Sequence, residues 1–357
     1  MNQQDNENRA AGNRIQSRRG FIRIAGVAGT AAATWWHQGR AFARTLGAGD
    51  RLNVAHIGLG AAGRTHLLLW QRQARVWNTR LVALADPSPK RIARARLLAG
   101  SPPGVQLAGD YRRVLERRDL HAVVVSSPQL EVALDALAAG KHVYLEHTLP
   151  PQLEPGFRLY DAWKRAGAVV QAGACRASEP RYRAAGERVR AGQLGTLSNV
   201  AVKEARSCTA ATAGGNIARA IQPLLLATGS DDWPVTVSCL EIGAPGEGDR
   251  QNGALFLLAS MSGGWTLRYA ASASQLRPAE EMAGDRGRLC LPAPGGVADE
   301  PTAHHEDFVR AIRGGSQPCG NLEPFVRAHT LVSLAQLSAA AQRTVVFDPP
   351  SRRWQLA

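Results

Sequence analysis

The stretch 52–63 constrains the fold of this chain more than any other. Its first half is apolar and predicts a buried parallel strand, which runs directly into the pattern Gly58-x-Gly60-x-x-Gly63. Residues 65–70, Thr-His-Leu-Leu-Leu-Trp, continue as a predicted helix. A strand, a tight glycine turn and a helix in this order are typical of a dinucleotide-binding Rossmann unit.

Each glycine in this pattern has its own physical role. Gly58 permits the turn, Gly60 lets the backbone approach a pyrophosphate, and Gly63 lets the helix pack closely on the strand. The N–H groups at the start of the helix, around Ala61 and Ala62, and the positive end of its dipole would face the phosphates. We therefore predict that this loop binds a dinucleotide.

An acidic residue supports that prediction. Residues 80–85 predict a second buried strand, and Asp86 ends it where a carboxylate can accept hydrogen bonds from a ribose hydroxyl pair. Asp86 favours NAD over NADP because it repels a 2′-phosphate, although Lys90 and Arg91 soften that preference. The alternative role of Asp86 is a helix N-cap before Pro87, and the two roles are compatible.

The first 43 residues predict an export signal. Residues 17–23 read Ser-Arg-Arg-Gly-Phe-Ile-Arg, a twin-arginine motif, and Ala-Phe-Ala at 41–43 is a small-x-small cleavage site. The apolar run between them is too short and too rich in glycine and alanine for a membrane span. We expect twin-arginine export of a mature chain that begins at Arg44, resides in the periplasm or outside the cell and has no membrane association. The alternative is a disordered basic tail on a cytoplasmic protein.

Charge and residue spacing narrow the possible partners. The formal net charge of +14 makes nucleic acid a candidate partner, because nucleic-acid-binding proteins are often strongly basic. The basic residues are almost all arginine and are spread along the chain, and no nucleic-acid motif accompanies them, so we predict no nucleic-acid partner. The five cysteines lack metal-binding spacing, and residues 304–306 (His-His-Glu) predict the capped, solvent-facing start of a helix. We predict no metal site.

Predicted strands and helices alternate as far as Ala172. Examples are the strand at 122–126, the helix at 130–139 and the strand at 141–146. This alternation predicts a doubly wound parallel sheet over residues 50–172. Ligands of such sheets bind at the carboxyl ends of the strands, and this rule brings the following residues to the reactive end of the cofactor: Ser127, Pro128, Glu146 and His147.

The order of these motifs resembles the glucose–fructose oxidoreductase / inositol dehydrogenase (Gfo/Idh/MocA) family from about Leu52 to the end of the chain. The specific matches are the glycine loop, Ala-Asp86-Pro, Asp110-Tyr, Ser-Ser-Pro128 and Gly140-Lys-His-Val-Tyr-Leu-Glu146. Looser matches are Gly192-Gln-Leu-Gly195, His305-Glu-Asp-Phe308 and Val346-Phe-Asp348. The resemblance implies NAD or NADP, a second domain built on a large open sheet, and dehydrogenase chemistry on sugars or polyols. Some relatives are NAD-dependent glycosidases.

Two departures from the family pattern concern the catalytic residues. The family's Glu-Lys-Pro block, whose lysine lies at the nicotinamide and substrate, is replaced by Glu146-His147-Thr148. His147 is either a proton-exchanging residue or a rim residue of a site that no longer turns over. The family's His-x-x-Asp pair corresponds to Arg219 and Gln222, and an arginine can clamp a carboxylate but cannot act as a base.

The second half of the chain predicts an α+β domain over residues 173–322, with an open, mostly antiparallel sheet. Alternation at Trp265, Leu267 and Tyr269 indicates a sheet with one covered face. Its other face is expected to bind a second copy of the chain. The small-residue segment 207–216 predicts a loop, and residues 323–357 predict a helix and a strand that pack back on the body.

Three functions are compatible with these residues. The first is an exported NAD(P)-dependent oxidoreductase acting on a sugar, a polyol or a related small molecule, with catalytic candidates Glu146, His147, Arg219 and Gln222. The second is a binding protein that holds the cofactor but does not turn over. The third is an NAD-dependent glycosidase, against which the missing family histidine counts.

Overall fold

The structure is a computed structural model that describes residues 49–146, 149–173, 175–205, 210–242, 254–272, 276–291 and 301–357, with only the backbone over 210–216. The predicted export signal, residues 1–43, and the candidate His147 lie outside these ranges. The described residues form a 6-stranded sheet and an 8-stranded sheet, with helices packed on both.

The first sheet is the predicted doubly wound parallel sheet. Its strands are β1 (Leu52–Ile57), β2 (Thr79–Ala85), β3 (Gln106–Ala108), β4 (Ala122–Val125), β5 (His142–Leu145) and β6 (Val170–Ala172). They lie in the order β3-β2-β1-β4-β5-β6, and all pairs are parallel. The strand order reverses between β1 and β4, so the ligand crevice of this sheet lies at their carboxyl ends.

Five helices connect these strands. They are α1 (Ala61–Gln73), α2 (Pro89–Leu98), α3 (Arg112–Leu115), α4 (Leu130–Ala138) and α5 (Leu153–Ala166). All residues of β1 and β4 are buried because helices cover both faces, which explains why these strands read as continuous apolar runs.

The second sheet is mostly antiparallel, as predicted. Its strands are β7 (Leu197–Glu204), β8 (Pro234–Ile242), β9 (Ala254–Met261), β10 (Thr266–Ser272), β11 (Ala279–Gly284), β12 (Arg288–Leu291), β13 (Val345–Asp348) and β14 (Arg353–Leu356). The order is β12-β11-β7-β10-β9-β8-β13-β14, in which β7 and β10 pair in parallel. The predicted alternation is confirmed, because Trp265, Leu267 and Tyr269 are all buried.

A short 3₁₀ helix (Cys175–Ser178) leads from the first sheet into the remaining helices. These are α6 (Pro180–Arg190), α7 (Ala210–Thr228), α8 (Pro301–Gly314) and α9 (Leu322–Ala341). Helix α9 contacts α7, β8 and α5, so it joins the two halves of the molecule. Helix α8 packs Phe308, Val309 and Ile312 against strand residues of the first sheet. None of the described helices is both long and apolar enough to cross a membrane.

The prediction of a loop over 207–216 was wrong for its second part. The backbone is helical from Ala210, where α7 begins. Alanines at 210, 211 and 213 favour the helix, and the apolar second half of α7 is stabilised by tertiary packing. Together these two effects outweigh the cost of the two glycines that follow the alanines.

Candidate functional site

The turn between β1 and α1 can be built only with glycine at two positions. Gly58 has φ +86°, and a Cβ there would lie 2.7 Å from the carbonyl carbon of Ser126. A Cβ on Gly63 would lie 1.9 Å from the carbonyl oxygen of Gly58. The start of α1 is therefore pressed directly against the end of β1.

The position between these two glycines is open. A Cβ on Gly60 would meet no atom within 4 Å, and Ala61 and Ala62 are exposed. The first turn of α1 contains no acidic residue, and Gly60 supplies no side-chain cap. This leaves an accessible helix N-terminus at the strand edge, which suits a phosphate group.

Asp86 ties this loop to the next helix. Its side chain is buried, and its Oδ2 accepts a hydrogen bond from the backbone N–H of Leu59 at 2.8 Å. Its Oδ1 accepts from the N–H of Ser88 at 2.8 Å, at the start of α2. The guanidinium of Arg91 lies 3.7 Å from Oδ2 and is largely exposed. Asp86 thus accepts a hydrogen bond at the start of α2, as an N-cap residue does. Its carboxylate oxygens can accept a further hydrogen bond from a ligand.

The ends of β4 and β5 lie beside the glycine loop. A Cβ on Gly58 would approach the backbone nitrogen of Ser127 to 2.8 Å, and the N–H of Glu146 bonds the carbonyl of Val125 at 2.9 Å. Ser127 is half-buried and Pro128 is exposed. The structure therefore brings Ser127, Pro128 and Glu146 to the edge that carries the glycine loop.

A buried polar atom at this edge lacks a partner. Ser126 Oγ has no hydrogen bond within the described chain, and the Ser126 Cβ lies 3.3 Å from the place where a Cβ on Gly63 would be. Buried hydroxyls are rarely left unpaired. The open space at Gly60, the exposed helix start and this hydroxyl all fit a bound dinucleotide.

A chain of hydrogen bonds leads from Glu146 into the core, and it was not predicted from the sequence. His66 Nε2 lies 2.5 Å from Glu146 Oε2, and His66 Nδ1 lies 2.8 Å from His305 Nε2. Trp70 Nε1 donates to His305 Nδ1 at 3.0 Å. His66 and Trp70 are one helical turn apart on α1, a spacing that sequence alone can show, but His305 is 239 residues away from His66.

The prediction that residues 304–306 face solvent was wrong for both histidines. His304 and His305 are fully buried because α8 packs this end against the first sheet. His304 Nε2 donates to the carbonyl of Ala172 at 2.8 Å, and its Nδ1 accepts from Ser178 at 2.8 Å. Burial lowers the pKa of His304 to about 4 and that of His305 well below its usual value.

The two candidates on α7 lie in different environments. Arg219 is exposed, whereas Gln222 is fully buried and neither atom of its amide has a hydrogen-bond partner within the described chain. The two side chains therefore do not form a paired acid–base unit on one open face. Among the described residues there is also no group of three or more metal-ligating side chains.

The first half of the chain is similar to known dehydrogenases. Residues 52–174 match the model of an oxidoreductase family with an NAD-binding Rossmann fold. Inositol 2-dehydrogenase 4 of Saccharopolyspora erythraea is 32% identical over 148 residues, which are 40% of this chain and 42% of that protein. Levoglucosan dehydrogenase of Pseudarthrobacter phenanthrenivorans is 28% identical over 128 residues, 34% and 32% of the two chains. The chain thus spans less than half the length of these curated relatives.

Solved structures extend the similarity to both sheets. The myo-inositol 2-dehydrogenase of Lactobacillus plantarum superposes with a TM-score of 0.65 at 18% identity, covering 84% of this chain and 100% of that one. The scyllo-inositol dehydrogenase of Lactobacillus casei, solved with NAD(H) and scyllo-inositol, gives 0.64 at 18% identity, with 83% and 98% covered. At this identity the likeness establishes the fold.

Proposed function

The chain belongs, through residues 52–174, to the Gfo/Idh/MocA oxidoreductase family, and on this basis we propose that it is an exported oxidoreductase that acts on a CH–OH group of a sugar or polyol. The observation that supports this most is the joining of the open glycine loop and the Glu146 carboxylate at one sheet edge. A cofactor bound across the switch point of this sheet would end beside Glu146.

The residues of this edge fit the parts of a dinucleotide. The N–H groups from Gly60 to Ala62 would hold the pyrophosphate, and Asp86 would face the adenosine ribose. Ser127 and Pro128 would flank the nicotinamide end. A bound nicotinamide would supply the hydride chemistry, and the protein would bind and orient the substrate beside it.

Proton exchange in this proposal belongs to His147 and Glu146. His147 follows Glu146 directly, at the position of the family's lysine, and an imidazole exchanges protons near neutral pH. Arg219 would bind an anionic or hydroxyl group of the substrate as a donor. Gln222, with its amide unpaired, would contribute hydrogen bonds rather than proton transfer.

We propose NAD as the cofactor rather than NADP. Asp86 places a carboxylate at the ribose position, and Arg91 lies near enough to offset part of its charge. The wild-type protein is expected to bind NAD more tightly than NADP. Arg91→Ala is expected to weaken NADP at least about fivefold while changing NAD little, since it removes a cation that would meet only the 2′-phosphate. Equal loss for both cofactors would contradict this assignment.

The first experiment uses the chain from Arg44, folded in the cytoplasm and then purified. The protein is denatured, released NAD(H) or NADP(H) is quantified, and the apo-protein is titrated with both. A panel of inositols, anhydrosugars and aldoses is then screened for turnover. Failure to contain or bind any dinucleotide would refute the proposed function.

His147→Ala tests the proposed chemistry separately. The variant should bind NAD as the wild type does but lose turnover about 100-fold or more, because general acid–base catalysis contributes about that much. Unchanged turnover would remove His147 from the mechanism. NAD binding without turnover on any substrate would instead support a silent binding protein, which the replacement of the family's His-x-x-Asp pair by Arg219 and Gln222 also favours.

Export and assembly complete the proposal. The twin-arginine motif at 17–23 would direct the folded protein to the periplasm or the outside of the cell, and a reporter fused to residues 1–43 tests this.

A second copy of the chain would cover the outer face of the second sheet, where Leu240, Phe256 and Leu258 are 59%, 41% and 50% exposed. A concavity of about 810 Å³ opens on the same face.

A further inference from the structure

The hydrogen-bond chain that ends at Glu146 joins three separate elements. His66 and Trp70 lie on α1, His305 on α8 and Glu146 at the end of β5. His66, Trp70 and His305 are buried, and only Glu146 is partly exposed. The ring of Tyr144 stacks on His305 with centroids 4.0 Å apart, which further fixes the imidazole plane.

The hydrogen bonds from Trp70 to Glu146 can run in only one donor-to-acceptor direction. An indole N–H can only donate, so His305 Nδ1 must be the acceptor of the Trp70 bond. Burial lowers the pKa of His305 and keeps it neutral, so its single proton lies on Nε2 and is donated to His66 Nδ1. With Nδ1 accepting, His66 carries its own proton on Nε2 and donates it to Glu146 Oε2.

The same chemistry excludes a proton wire. A proton that moved from Glu146 along these hydrogen bonds would cross His66 and His305 and then reach Trp70, but an indole nitrogen cannot accept a proton. These hydrogen bonds therefore orient groups and do not carry protons through the core. Oε2 of Glu146 also lies beside Gly173, where an added Cβ would approach it to 3.1 Å.

We infer that His66 is a positioning residue, held as its Nε2–H tautomer by His305 and Trp70, which fixes the carboxylate of Glu146 at the reactive end of the cofactor crevice. This inference rests on the proposed function for the role of Glu146. It assigns a second task to α1: its first turn would face the dinucleotide phosphates, and its second turn carries His66, which orients the carboxylate.

The tautomers can be tested without any activity. Long-range ¹H–¹⁵N spectra of the mature protein labelled in its histidines, with His66→Gln for assignment, should show His66 protonated on Nε2 alone. The carboxylate of Glu146 can only accept a hydrogen bond, so it also favours this tautomer of His66. Glu146→Gln alone should therefore leave His66 protonated on Nε2, whereas Glu146→Gln combined with Trp70→Phe removes both constraints and should convert His305 and His66 to tautomer mixtures. A His66 protonated on Nδ1 in the wild type or in Glu146→Gln would overturn the inference.

A pair of variants tests the consequence for turnover. His66→Leu removes the donor to Glu146, whereas His66→Gln keeps an amide N–H that can reach it. Both should bind NAD as the wild type does, with turnover reduced at least about tenfold in the leucine variant and within about threefold of wild type in the glutamine variant. Equal turnover in all three proteins would refute the positioning role. If the wild type binds no dinucleotide, the proposed function fails. The NMR measurement of the histidine tautomers then tests by itself whether the hydrogen bonds through His66 hold Glu146.

Discussion

At the scale of single residues, two glycines of the same loop should respond differently to substitution, one through stability and the other through NAD binding. Gly63→Ala should destabilise the protein by about 3 kcal/mol or more, because the new Cβ would lie 1.9 Å from a backbone oxygen. Gly60→Ala meets no atom within 4 Å and has an ordinary φ of −65°, so it should unfold as the wild type does. Its methyl group would occupy the pyrophosphate path, and NAD affinity should fall about tenfold or more. Urea unfolding and NAD titration of both variants check this, and an unaltered affinity in Gly60→Ala would argue against phosphate at this turn.

The site residues that the sequence predicts are those whose proposed role depends on near neighbours. The glycine loop and Asp86 belong to one strand–turn–helix unit and its next strand, so a short pattern is enough to predict them. His66 and His305 become partners only after α8 has packed on the first sheet, 239 residues along the chain. A histidine at position 66, and a pair at 304–305, look like surface polar residues until that packing is known.

At the scale of elements, the contact between α5 and α9 fixes how the two halves of the molecule join. Gly156 on α5 lies under the His329 ring of α9, and a Cβ there would lie 2.5 Å from His329 Cδ2. His329 Nε2 also donates to the carbonyl of Gln152 at 2.9 Å. Gly156→Ala should therefore reduce the free energy of unfolding by about 1–3 kcal/mol, measured in urea. Gly109→Ala is the control, since it has open space around it; equal losses in both variants would contradict the contact.

Elements with a strong period or a continuous apolar run were predictable. Strand β10 alternates clearly and α9 is long, so the sequence predicted both. Strands β11, β12 and β14 were missed, because β11 and β12 show no sustained apolar alternation and every residue of β14 is exposed. They exist because neighbouring strands supply their hydrogen-bond partners, which is tertiary information.

At the scale of the whole molecule, the outer face of the second sheet should hold two copies together. Leu240 lies opposite Phe256 on neighbouring strands, which makes the exposed side chains contiguous. Phe256→Glu should convert a dimer or larger assembly to monomers in sedimentation velocity runs, because a buried unpaired carboxylate is costly. Leu97→Glu, at a side chain 73% exposed on α2, is the matched control. A monomeric wild type, or an assembly unaffected by Phe256→Glu, would refute this interface.

Buried histidines throughout the molecule should make it sensitive to acid. Burial lowers the pKa of His56 to about 3 and those of His142 and His304 to about 4, while each has a pKa near 6.5 when unfolded. Below pH 6.5 these histidines bind protons in the unfolded chain but stay neutral in the folded protein. The free energy of unfolding therefore has its full value above pH 6.5 and decreases as the pH drops towards 4. Each such histidine lowers the free energy of unfolding by up to about 1.4 kcal/mol per pH unit in this window.

The backbone N–H of Val169 donates to His142 Nδ1 at 3.0 Å, so His142→Asn keeps an acceptor but cannot titrate. Urea unfolding at pH 7.5 and 5.5 should show a smaller loss of stability for this variant than for the wild type. Identical losses in the two proteins would mean that His142 accepts its proton in the folded state. The proposed periplasmic residence gives this pH dependence a physiological setting, because an exported protein is directly exposed to external acid.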